Sequence, residues 1–103
     1  MMKKTDPRWN DTRVIQSSGN VFVDLGFDPA EAEVMALRVE VMMRLRKHLA
    51  EEGLTQSQAA KQLGITQPRV SALVNGVWKD FSLDMLLTLA ARAGLHPKLR
   101  MAA

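Results

Sequence analysis

Gln67 and Arg69 stand two positions apart at the start of a segment whose apolar residues recur at helical spacing, and their chemistry is recognition rather than catalysis. An amide offers a donor and an acceptor side by side, the pattern that pairs with an adenine edge. A guanidinium offers the fork that pairs with guanine. Ala72, about one turn further along such a helix, either meets a thymine methyl group or is kept small for close approach. Ser71, Asn75 and Lys79 follow, with groups suited to phosphate oxygens. Catalytic chemistry has no comparable basis. His48 and His96 have no second histidine or carboxylate at ligand spacing, the chain has no cysteine, and no nucleophile elbow, phosphate-cradling glycine loop or H-E-x-x-H occurs. The expectation is a protein that is not an enzyme and needs no metal or cofactor.

Those side chains need a frame, and the stretch Thr55 to Gly76 supplies it. Thr55 with Gln58 three residues on forms a capping box, so a helix starts there. Ala59, Ala60 and Leu63 make its inward face, and Gly64 ends it with a residue free to take positive φ. Ile65 plugs the corner. Thr66 caps a second helix, and Pro68 falls in the first turn, where a missing N–H has no partner to lose. Val70, Leu73 and Val74 form the buried back of this helix, and Asn75-Gly76 closes it. Two short helices joined by a glycine turn, the second apolar behind and polar in front, make a helix-turn-helix, which lays its second helix in the DNA major groove.

The pattern T-Q-x-x-A-A-x-x-L-G-I-x-Q-x-x-V-S-x-L-x-N-G resembles the core motif of the Xre/Cro family, the group that includes the lambdoid phage repressors. The resemblance implies that Gln56 and Thr66 meet the phosphate backbone through side chain and helix N-terminus, with Ser71, Asn75 and Lys79 adding phosphate contacts. Pro68 stands where family repressors carry a second base-reading polar residue, so the base code is short.

Before this unit, Phe27-Asp28-Pro29-Ala30-Glu31 is a helix start with an N-cap, a proline in the first turn and a capping box. A long helix is predicted from about Pro29 to Glu52. Val34, Leu37, Val41, Leu45 and Leu49 form one stripe, and Met35, Val39, Met42 and Met43 widen it beyond one packed face. That excess either contacts another chain or covers the amino-terminal arm. Residues 1 to 20 show no sustained period and predict a flexible arm, in which Trp9 is either an anchor or an exposed ring. Val21, Phe22, Val23 and Leu25 predict a short strand or extended docking segment. Downstream, Trp78 and Phe81 pin a loop. Ser82 caps a helix that buries Leu83, Leu86, Leu87, Ala90 and Ala91, and Lys98 to Met101 alternates like a half-buried strand, pairing with the Val21 run or with its mate in a dimer.

This order is similar to the HigA-like antitoxins, a branch of the Xre-like proteins; Gly19-Asn20-Val21-Phe22, Asp24-Leu25-Gly26 and Phe81-Ser82-Leu83-Asp84 with Leu86-Leu87 carry that likeness. It implies a RelE/HigB-like ribonuclease toxin as partner and repression of the protein's own operon.

The chain has 103 residues, room for one small domain, and a net charge of +3. Between Val41 and Lys79 lie six basic residues, among them Arg44, Arg46 and Lys47, against the acidic pair Glu51 and Glu52. The positive charge therefore gathers on and just before the helix-turn-helix, either as an electrostatic footprint for a polyanion or as an ordinary solvated helix surface. No signal peptide and no membrane span is expected, so a soluble, cytoplasmic protein is.

The predicted architecture is all-α: a lambda-repressor-like helix-turn-helix domain with a long N-terminal helix and short terminal β-strands. An arm occupies 1–26 and the DNA-binding domain 27–103. The predicted function is a homodimeric repressor on a palindromic double-stranded operator, acting as antitoxin of a HigBA-like pair. Alternatives are a stand-alone Xre-family regulator and an interaction scaffold without DNA affinity. Val21, Phe22, Met35, Val39, Met42 and Leu99 are the expected partner or dimer residues.

Overall fold

In chain order the helices are α1 (Gly19–Asp24), α2 (Pro29–Glu52), α3 (Gln56–Leu63), α4 (Gln67–Val74) and α5 (Leu83–Arg92), with a 3-10 turn at Trp78–Asp80 between the last two. The computed structural model describes residues 19–102. The arm predicted before them, with Trp9, lies outside the described residues.

The expected strand at Val21 to Leu25 is replaced by α1. Lys98 to Met101 takes no strand conformation either, and no strand occurs among the described residues. Each correction explains the other: a short run with no mate would leave its backbone groups unpaired, whereas a helical turn satisfies them internally. Phe22 then docks α1. It is buried, edge-on to Phe27 at 5.9 Å and to Trp78 at 5.3 Å between ring centroids.

Asp28 caps α2 as expected. Its carboxylate accepts from the Glu31 N–H at 3.0 Å, and Glu31 accepts in return from the Asp28 N–H at 3.5 Å. The hydrogen bond from the Glu31 backbone N–H is the leading cause that holds the Asp28 carboxyl below its ordinary pKa. The far end closes on Gly53 at φ 69°.

The buried face of α2 differs from the predicted stripe. Met42, Leu45 and Leu49 enter the main core with Leu63, Val70, Leu73, Val74, Phe81, Leu86 and Leu89, while Ala32 and Val39 join Phe22 in a second, smaller core. Val34 is exposed, and Leu37 and Val41 are half-buried. The surplus width of the apolar surface is thus consumed by two intramolecular contacts: α1 packs on one side of α2, and α4 and α5 on another. Val39 and Met42, expected at a partner surface, are core residues of this chain, as is Phe22.

The buried face of helix α5 also differs from the predicted one. Leu86, Leu89, Ala90 and Ala93 are buried, Leu83 and Leu87 only half, and Ala91 is exposed. Among the described residues no helix is long and apolar enough to cross a membrane.

Candidate nucleic-acid interface

The two central helices are capped at both starts by threonine. The Thr55 hydroxyl oxygen accepts from the Gln58 N–H at 3.1 Å, and the Gln58 side chain accepts from the Thr55 N–H at 2.9 Å. Thr66 accepts from the Arg69 N–H at 3.4 Å, with Pro68 in the first turn of α4. Between them Gly64 takes φ 69°, which lets both Gly64 and Ile65 donate to the Ala60 carbonyl at 2.9 and 3.1 Å and turns the chain sharply.

The carboxyl ends of this unit are held by arginines that sequence reasoning did not assign. Arg92 donates through Nη1 to the Leu63 carbonyl at 2.9 Å, closing α3. Arg46 donates through Nη2 to the Val74 carbonyl at 2.7 Å, closing α4. Arg38 grips the following turn, reaching the Phe81 carbonyl through Nε at 2.9 Å and Nη2 at 2.6 Å, and the Trp78 carbonyl at 3.0 Å. At α3 and α4 a cation thus meets carbonyls left over at a helix end, where the macrodipole is negative. Counting Arg46 among the surface charges of the footprint is corrected: it is 1% exposed. A signal existed, because Arg46 falls among Met42, Leu45 and Leu49 at helical spacing, inside an apolar stripe.

The residues predicted to meet nucleic acid lie on α4 and its flanks. Gln67 is exposed at the first position of α4, Ser71 and Ala72 are half-buried along it, and Asn75 is exposed at its end. Gln56 is half-buried at the first position of α3, and Thr66 is exposed at the N-cap of α4. Arg69 is half-buried, with its guanidinium 4.8 Å from the centre of the Phe81 ring. Lys79 is exposed on the 3-10 turn, its Nζ 5.7 Å from the centre of the Trp78 ring.

The predicted partner residues separate. Val21 and Leu99 are exposed, Leu99 to 71%, and Met35 is half-buried against the small core. A groove between α2 and α5 is lined by Leu37, Val41, Leu83, Leu87 and Leu99 together with Glu40, Arg44, Lys47 and Glu51.

His48 corrects the reading that it lacks a carboxylate at ligand spacing. Its Nε2 lies 2.9 Å from the Ala93 carbonyl and 3.2 Å from Oε1 of Glu52, four residues on. That geometry ties α2 to the end of α5. Among the described residues no cluster of histidine, aspartate and glutamate could hold a metal ion.

No curated protein and no solved structure matches this chain. A family model described as a helix-turn-helix domain matches residues 21–102, from within α1 to the last described residue. With the match spanning most of the sequence, and the capped α3 and α4 joined by a positive-φ glycine at its centre, the chain belongs to the helix-turn-helix domain family.

Proposed function

We propose that this protein is a sequence-specific transcriptional repressor that binds a palindromic double-stranded operator as a homodimer in the cytoplasm, and that it is the antitoxin of a HigBA-like pair controlling its own operon. The observation that carries DNA reading is the state of α4: its back is in the core, with Ala72 partly packed against it, and both ends are tied down, while Gln67 and Asn75 are exposed and Ser71 is half-buried. A recognition helix must be rigid in this way to hold a bidentate contact in register. Gln67 and Arg69 read bases. Gln56, Thr66, Ser71, Asn75 and Lys79 set the register on phosphate.

For the dimer, the α2/α5 groove with Leu99 and Met101 replaces Val39 and Met42, since both tail residues are largely exposed, Met101 to 84%. The antitoxin role is supported by the likeness of the Gly19 to Gly26 and Phe81 to Leu87 stretches. The exposed Val21, Val23 and Leu25 suit a RelE/HigB-like toxin as partner.

The test is anisotropy on the protein's own promoter and on a scrambled duplex. Arg69→Ala should cost about 1–3 kcal/mol on the promoter and relax preference at one base pair. Equal binding of both duplexes by the wild type would end the sequence-specific reading. Sedimentation at micromolar concentration checks the dimer, which Leu99→Asp should dissociate; a wild-type monomer with full affinity for one half-site would refute it. Co-purification with the product of the adjacent reading frame tests the toxin, and separate elution would leave a stand-alone regulator.

A further inference from the structure

Among the described residues, Trp78 is the one aromatic residue that packs against both cores, yet it is only half-buried. Its surroundings are unusually directed. The Phe22 ring of α1 meets it edge-on at 5.3 Å, the Arg38 guanidinium lies 5.4 Å from its centre while bonded to its carbonyl at 3.0 Å, and the Lys79 ammonium lies 5.7 Å away. Arg38 also clamps Phe81, so both ends of the turn that carries Lys79 are held by one side chain. A lysine on an exposed turn has many rotamers, and each one abandoned on binding costs entropy. An aromatic face that attracts the ammonium restricts that freedom beforehand.

We infer that Trp78 is the positioning residue for Lys79, and that Phe22 and Arg38 hold Trp78 in place, so that α1 buttresses the DNA-contacting turn. The inference rests on the reading of Lys79 as a phosphate contact. It also gives α1 a second consequence: a partner that pulls α1 from α2 removes Phe22 from Trp78 and loosens the grip on DNA.

The experiment uses the full chain and a mixed-sequence duplex, titrated by anisotropy at a series of salt concentrations. The proteins are wild type, Lys79→Ala, Trp78→Leu, Phe22→Ala, and each of the last two combined with Lys79→Ala. Lys79→Ala should lower the salt slope by about one unit. Trp78→Leu and Phe22→Ala should each weaken binding by about two- to fivefold, the range of an exposed cation–π contact. Neither should weaken it further once Lys79 is alanine. Urea melts establish that each variant is folded; if Phe22→Ala is not, Trp78→Leu with and without Lys79→Ala carries the test. Equal losses with and without Lys79, or no loss in folded Trp78→Leu, would overturn the positioning role while leaving DNA binding standing. A Lys79→Ala protein with unchanged affinity and slope would remove the phosphate contact, and the inference with it.

Discussion

Replacing Gly64 by alanine strikes the turn of the helix-turn-helix in two ways whose sizes can be separated. The first is local: Gly64 holds φ +69°, and an L-residue with a Cβ is disfavoured there by about 1–2 kcal/mol. The second acts through Arg92. A Cβ on residue 64 would stand 3.2 Å from Nη1 and 3.8 Å from Cζ of Arg92, the same Nη1 that donates to the Leu63 carbonyl at 2.9 Å. The guanidinium must yield, and a partly exposed charge-assisted hydrogen bond of this kind contributes about 1 kcal/mol, below the buried range. Gly64→Ala should therefore cost about 2–3 kcal/mol, a drop of roughly 10–20 °C in Tm for a domain of this size. In an Arg92→Ala background only the backbone part remains, about 1–2 kcal/mol. Urea denaturation followed by helical circular dichroism measures all four corners of the cycle. A cost for Gly64→Ala that is the same with and without Arg92 would refute the link between turn and cap, and a cost under about 0.5 kcal/mol would refute the backbone argument as well.

Arg46→Met keeps most of the buried volume but strips the donor from the Val74 carbonyl, so stability should fall by about 1–3 kcal/mol in the same assay; a neutral or stabilising result would mean that desolvating the guanidinium outweighs its bond. Asp28 has its pKa lowered in the folded chain, so its contribution is complete above the ordinary value of 3.8 and is lost as pH falls through the lower folded value. Asp28→Asn should accordingly flatten the dependence of the urea midpoint on pH below that value, and an unchanged acid limb would count against the capping box.

Local chemistry made the helix-turn-helix legible in the sequence. Thr55 with Gln58, Thr66, Asp28 with Glu31, and Ser82 all cap the helices they announce, because a side-chain cap acts on backbone groups within three residues. Gly64 marked the turn for the same reason, and Val70, Leu73 and Val74 marked the buried back of α4. What the caps could not convey was which neighbour each face meets. The wide apolar surface of α2 read equally well as a contact with another chain, and only the packing of α1 on one side and α4 and α5 on the other made Val39 and Met42 core residues. Strand conformation at Val21 to Leu25 and at Lys98 to Met101 depended on a mate that the fold does not supply. The arginines were the least legible, since Arg38, Arg46 and Arg92 find their carbonyls 43, 28 and 29 residues away. A charge counted along the chain carries no record of such a distant partner. The tertiary structure alone decided that these three cations close the unit on its own carbonyls, with Arg69 half-buried against Phe81 and Lys79 exposed beside Trp78.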